Sequence, residues 1–333
     1  MKKLIPGLHT ITACTLCMTA AMTAAAAGND AELFAEKLTD ETRYTGVFPA
    51  GVKTIACISP ASYPGRPSHR RGLELLKKAG YKLKVLPHAF EEAEPGKTGA
   101  PLAHRLEDFY AAWNDPEVDM ILCVRGGRGC EELLANLDWN RLSPRPNLYV
   151  QGYSDVTMLT AALLGKGFGH PVAGPMAGSM SGLQAASIRA MKAMYHGKSV
   201  GPIKLTALVP GDCEGLALSG LLDRLVRVAR AGYRPDTTGR IIFIEVVGST
   251  PEKIRADLRE LVDRKFFAGA AGVVFCHFIR SGEKAEIDAV LKELAPKFGV
   301  PVHRGFPFGH SPECYTIDFR RKVVIKNGEL VFP

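Results

Sequence analysis

From about residue 52 the chain alternates two hydrophobic rhythms. Short runs rich in β-branched residues give way to longer stretches with apolar positions at helical spacing. "KTIACISP" predicts a strand that breaks at Pro60, and "SHRRGLELLKKAG" an amphipathic helix stopped by Gly80. "YKLKVLP" is the next strand, "PLAHRLEDFYAAWND" a helix, "VDMILCVRGG" a strand and "EELLANLDW" a helix. "NLYVQGYS" is then a strand that runs straight into the helix "DVTMLTAALL". This alternation predicts an α/β fold whose parallel sheet is covered on both faces. In that architecture binding sites gather beyond the carboxyl ends of the strands. Both "RGGRG" and "GYSD" fall at such ends.

The rhythm loosens after "VAGPMAGSM". Residues 195–215, rich in Gly and Pro, read as a linker or domain boundary. A second region follows: "GRIIFIEVVG" as strand, "TPEKIRADLRELVDRKFF" as helix, "AAGVVFCHF" as strand and "EKAEIDAVLKELAPKFG" as helix. "VPVHRGFPFGHSPECYTIDF" adds a strand with a long irregular tail. The expected organisation is a leader at 1–27, an N-terminal domain at 48–195 and a smaller α/β domain at 212–333.

The leader is expected from Lys2 and Lys3, an Ala/Thr-rich apolar stretch, and small residues near Ala26–Gly28 that suit signal-peptidase cleavage. The mature protein is thus expected to be exported to the periplasm or beyond, with no integral span left after cleavage. A lipoprotein ending its leader at Cys14 is the lesser alternative. The full chain, at 333 residues with 46% hydrophobic and 23% charged content, is globular in composition. The net charge of +8 could suit an anionic partner. The basic residues are scattered, however, and the one dense run, "RPSHRRG", opens a helix without interleaved aromatics, so no nucleic-acid partner is expected. Cys57, Cys123 and Cys276 sit in apolar strand-like runs, while Cys130, Cys213 and Cys314 fall in predicted loops where spacing does not decide a disulfide. No Cys/His set has zinc spacing, and no metal or cofactor is expected.

Ser154 stands at the strand-to-helix corner. It can cap the helix, or it can be a nucleophile beside the free N–H groups of the first turn. A nucleophilic serine needs a base and an orienting group. Of nine His, His277, His303 and His310 lie late near strand ends, and His310 is set in the Gly/Pro-rich "GFPFGHSPE". Glu245 interrupts an otherwise apolar strand, where a carboxylate is costly unless it is paired. It is either ion-paired with an arginine or the orienter of a histidine. "VRGGRG" is either a tight turn or a loop whose Gly126 and Gly127 N–H groups hold an oxyanion, with Arg125 as a carboxylate clamp.

In order and spacing, "ACISPAS", "RLEDFYAAWNDPEVDMILCVRGGRG", "GYSDVTMLTAALL", "IIFIEVVGSTPEKIRADL" and "GFPFGHSPECYTID" together resemble the LD-carboxypeptidase family, serine peptidases that trim murein tetrapeptides. The resemblance covers most of the chain after the leader. It implies Ser154 as nucleophile, His310 as base and Glu245 as its orienter, with backbone N–H groups of the Gly-Gly turn and of Asp155 as oxyanion donors. It also implies a Rossmann-like N-terminal domain, a smaller C-terminal α/β domain, homodimers, and a murein peptide as substrate. A relative that hydrolyses peptidyl-nucleotide antibiotics, of the microcin-immunity type, would share the triad, and a non-catalytic muropeptide-binding protein could retain it. The chain departs from the family pattern at Arg128, where Tyr is usual, at Glu131-Glu132, and at "LSGLLDRL" in place of a Gly-Gly-Asn-Leu segment. These departures bear on substrate contacts.

Overall fold

The computed structural model describes residues 42–93 and 95–333. The expected leader lies outside the described residues. Among those residues no helix is long and apolar enough to cross a membrane. In chain order the elements are β1 (Thr54–Ile58), α1 (Pro67–Lys78), β2 (Lys82–Val85), α2 (Leu102–Asn114), β3 (Met120–Cys123), α3 (Cys130–Ala135), β4 (Tyr149–Gly152), α4 (Thr157–Lys166), β5 (His170–Ala173), α5 (Ala177–Met180) and α6 (Ala185–Tyr195). They continue with β6 (Val200–Lys204), β7 (Thr206–Val209), β8 (Cys213–Leu221), α7 (Leu222–Arg230), β9 (Arg240–Val247), α8 (Pro251–Asp263), β10 (Gly272–Ile279) and α9 (Lys284–Leu294). Four short strands close the chain: β11 (Val302–Arg304), β12 (Ile317–Asp318), β13 (Lys322–Lys326) and β14 (Glu329–Phe332).

The first sheet has the order β12-β5-β4-β3-β1-β2. Its five N-terminal strands are parallel, and only β12 runs antiparallel, against β5. β1, β3 and β5 are buried along their whole length, as expected of strands covered on both faces. The order 2-1-3-4-5 reverses between β1 and β3, so the loops leaving those two strands diverge and open a crevice at their carboxyl ends. The loop after β1 carries Ser62, the loop after β3 carries Gly126 and Gly127, and β4 next door ends at Gly152, two residues before Ser154.

The second sheet has the order β6-β14-β13-β8-β9-β10-β11-β7, with parallel β8 to β11 at its centre and antiparallel strands outside them. Residues 195–215 are therefore not simply a linker. They contain β6 and β7, which pair with β14 and β11 at the two edges of this sheet. Exposed edge strands tolerate the Gly and Pro that the composition suggested as a boundary. The irregular tail also carries more order than expected. β12 crosses to the first sheet, and β13 and β14 form a hairpin turned by Asn327 and Gly328, both at positive φ.

Candidate active site

Three elements converge on Ser154. The residue sits just past β4 in the left-handed region, with φ 64°. That conformation costs a non-glycine residue roughly 1–2 kcal/mol. It makes no side-chain cap: neither the single 3-10 turn it opens nor α4 behind it receives a capping bond from its hydroxyl. The Ser154 Oγ instead lies 3.0 Å from His310 Nε2. His310 Nδ1 lies 2.6 Å from Glu245 Oε1, and the same oxygen accepts the His310 main-chain N–H at 2.5 Å. Glu245 is completely buried in β9 and its Oε2 has no hydrogen-bond partner among the described residues. Of the two alternatives for this carboxylate, the structure shows the histidine. A carboxylate held this way fixes the ring through Nδ1–H and leaves Nε2 to receive the serine proton.

Gly309 makes this contact possible. Its φ is +128°, and a Cβ there would stand 2.1 Å from Glu245 Oε1. Only glycine lets the backbone pass close enough for the carboxylate to meet both nitrogens of the next residue. The segment is held by His277 N–H donating to Phe308 O (3.2 Å) and Tyr315 N–H donating to Pro307 O (2.8 Å). The Tyr153 ring packs against His310 with centroids 4.8 Å apart.

Gly126 faces the hydroxyl: a Cβ on it would be 3.1 Å from Ser154 Oγ and 3.3 Å from Asp155 N. Among the described residues nothing accepts a hydrogen bond from the N–H groups of Gly126, Gly127 or Asp155. Their carbonyl neighbours are fixed, since Ser62 N–H donates to Gly126 O at 3.2 Å and Arg128 N–H donates to Ser62 Oγ at 3.0 Å. Unused N–H donors beside a hydroxyl suit a developing oxyanion.

Asp155 is buried and bonded on both oxygens. Oδ2 accepts the Cys130 N–H at 2.9 Å, and Oδ1 accepts Arg224 Nε–H at 2.5 Å. Arg224, from α7, also donates to Gly127 O at 3.1 Å and pairs with Asp223. One guanidinium thus ties the residue after Ser154 to the Gly-Gly turn. Sequence reasoning singled out the "LSGLLDRL" segment only as a departure and missed this arginine. The available signal was an arginine in the first turn of an amphipathic helix that follows directly on a buried strand.

The remaining candidates resolve differently. Arg125 is half-buried and donates to Tyr63 O at 2.5 Å, and burial together with nearby Arg66 lowers its pKa. No carboxylate pairs with it among the described residues. His303 bonds Gly211 O and His277 bonds Glu313 O, so neither reaches Ser154. Arg128 is exposed, Glu131 pairs with Arg227 at 2.6 Å, and Glu132 pairs with Arg105. The two acidic departures thus have structural partners. Cys130 is not in a loop but opens α3, and Cys213 opens β8. None of the six described cysteines forms a disulfide. Burial pushes the Cys314 thiol up to about 12 and the Cys130 thiol well above its usual range, so neither is a thiolate near neutral pH.

Two α/β sheets that bring a serine elbow, a histidine and a buried glutamate together define the scaffold of a hydrolase. The sequence agrees. Residues 55–171 match the LD-carboxypeptidase N-terminal domain and residues 214–325 match the LD-carboxypeptidase C-terminal domain. The chain belongs to the LD-carboxypeptidase family of peptidases. It is 28% identical over 291 residues to a probable murein peptide carboxypeptidase of Bacillus subtilis, covering 83% of this chain and 89% of that protein. It is 26% identical over 294 residues to the murein tetrapeptide carboxypeptidase of Pseudomonas aeruginosa, covering 83% and 94%. The crystal structure of muramoyltetrapeptide carboxypeptidase from Oxalobacter formigenes shares the fold, with a TM-score of 0.71, 24% identity, and coverage of 84% and 97%.

Proposed function

We propose that this protein is a serine carboxypeptidase that cleaves the L,D-peptide bond before the C-terminal D-Ala of murein tetrapeptides. The observation that carries the reading is the unbroken hydrogen-bond chain Ser154–His310–Glu245, anchored on a left-handed serine with unused N–H donors beside it. Names of the relatives at 26–28% identity support the substrate class.

Ser154 Oγ attacks the scissile carbonyl carbon while His310 Nε2 takes its proton. Glu245 Oε1, already bonded to Nδ1, stabilises the imidazolium that forms. The carbonyl oxygen, now an anion, is held by the N–H groups of Gly127 and Asp155, an effect worth roughly 3–4 kcal/mol per donor. The tetrahedral species collapses, the C–N bond breaks, and His310 returns the proton to the leaving D-Ala amine. Water then attacks the acyl-enzyme by the same route and restores Ser154. Arg125, with which no carboxylate pairs among the described residues, would pair with the terminal carboxylate of the peptide. The basic, Ala-rich leader supports an exported enzyme acting where murein fragments arise, and the family resemblance supports a homodimer.

The test is D-Ala release from a murein tetrapeptide by the chain starting near Gly28, followed by mass spectrometry beside Ser154→Ala. Release by the unaltered protein alone is the expected result. Tight retention of the peptide without release would mean a binding protein, and equal release by Ser154→Ala would end this mechanism.

A further inference from the structure

A second cluster lies away from Ser154. His88 and Glu91 sit in the loop after β2, and His104 lies in the first turn of α2, so the loop and the helix face one another. One potential ligand atom from each of the three lies within 4.8 Å of the others. Glu91 Oε2 is 2.8 Å from His104 Nδ1, and the rings of His88 and His104 stack with centroids 4.2 Å apart. Behind them stands Asp108, only 3% exposed, whose Oδ1 is 3.0 Å from His88 Nδ1 and whose carboxylate also accepts the His88 main-chain N–H. Burial raises the pKa of this carboxyl from its ordinary value, against the pull of His88.

We propose that His88, Glu91 and His104 form a binding site for a divalent transition metal of the zinc type, with Asp108 as the outer carboxylate that orients His88. A buried carboxylate on Nδ1 fixes the tautomer and presents Nε2 as the ligand atom, the arrangement that supports metal-bound histidines generally. Two imidazoles and one carboxylate suit zinc and disfavour calcium or magnesium, which select oxygen ligands. A tetrahedral ion with bonds of 2.0–2.1 Å separates its ligand atoms by about 3.3 Å. The cluster must therefore contract, and the stacked rings must turn so that their lone pairs converge. The side chains free to do so are the outer ones, His104 at 41% and Glu91 at 32% exposed, while His88 stays anchored on Asp108. The fourth position is open to water.

The consequence is a clip on the loop. The same excursion carries Thr98, whose carbonyl accepts the Tyr63 N–H, and the residue before Tyr63 holds the Gly126–Arg128 turn. Metal at this site would stiffen the outer wall of the crevice and contribute nothing to the proton transfers at Ser154.

The experiment uses the untagged full chain, stripped with chelator and titrated with Zn²⁺ by calorimetry and by thermal melting, beside His104→Ala and Glu91→Gln. Both replaced side chains are partly exposed, so the variants are expected to fold. The expected result is one equivalent bound by the unaltered protein at least ten times more tightly than by either variant, with a rise in melting temperature that both variants lose. A zinc isotherm that is the same in all three proteins, or no stoichiometric binding by the unaltered chain, overturns the site. These readouts do not involve turnover, so the outcome is independent of the peptidase reading.

Discussion

Ser154 is the residue at which stability and chemistry conflict. Its φ of 64° holds the hydroxyl toward His310, yet a side chain in this region costs roughly 1–2 kcal/mol that glycine would not incur. Ser154→Gly is therefore expected to melt a few degrees higher than the unaltered protein while losing turnover. Ser154→Ala should lose the same turnover, by a factor on the order of 10⁴–10⁶, with little change in melting. Equal melting of the two variants would show that the elbow carries no strain. Glu245→Gln is a sharper test of the second hydrogen bond. The Gln oxygen can still accept from both His310 donors that now share Oε1, but it carries no charge to stabilise the imidazolium formed when His310 takes the serine proton. A loss of about 10³–10⁴ in kcat with unchanged KM is expected, measured on the tetrapeptide under saturating conditions. At this scale the sequence was informative because each residue stood out against its surroundings. Ser154 broke a strand-helix junction, Glu245 an apolar strand, and His310 a Gly/Pro loop. Cap and nucleophile need the same corner, so the sequence leaves both open, whereas in the structure the hydroxyl makes no cap bond and faces His310.

Among the elements, α7 has the most to test. Arg224 on its first turn bonds Asp155 Oδ1 and Gly127 O, so the position of this helix sets the spacing between the serine elbow and the glycine turn. Removing one partner from a buried pair leaves the other charge uncompensated, typically at a cost of about 3–5 kcal/mol. Arg224→Met should accordingly lower the melting temperature and reduce kcat more than it changes KM. The double variant Asp155→Asn/Arg224→Met removes the stranded Asp155 charge and keeps an acceptor for the Cys130 N–H, while Asp223, the other partner of Arg224, is 30% exposed and can turn to water. It is expected to recover most of the melting temperature without recovering kcat, because Gly127 O is still unheld. Recovery of both would make Arg224 a purely structural residue. The junction that carries it was not legible as two elements. In "CEGLALSGLLDRLVRVAR" the strand β8 passes into α7 with no polar break, and Leu and Ala suit either period. The β13–β14 hairpin was legible in principle, since Asn327-Gly328 between apolar alternations is a strong turn signal. The edge strands β6 and β7 were not, because their Gly and Pro content and exposed positions mimic a linker.

For the whole molecule, the path of the last thirty or so residues decides how the chain folds. From β11 in the second sheet it runs through the segment bearing His310, adds β12 to the first sheet, and returns as β13 and β14 between β8 and β6. The crossing is fastened on the first-sheet side by Asp318 to His170 (2.7 Å) and by Arg320 to Pro146 O and Gly169 O (2.6 and 2.9 Å). On the other side Ala217 N–H donates to Arg321 O at 3.1 Å. The tail supplies the β12 edge of the first sheet and the β13 and β14 strands that join β6 to the second, and Ser154 and Glu245 come from different sheets with His310 on the connection. The described chain should then unfold in one transition, with equal calorimetric and van't Hoff enthalpies and with turnover lost along the same curve. Chain length alone favours the opposite outcome, because proteins of this size often unfold stepwise. Two calorimetric transitions, the lower one abolishing activity, would mean that the sheets are independent units and that the β12 crossing adds little. Deleting residues 317–333 separates the two possibilities. It strips an edge strand from the first sheet, takes two adjacent strands from the second and leaves β6 unpaired, so it is expected to yield no cooperative melt at all.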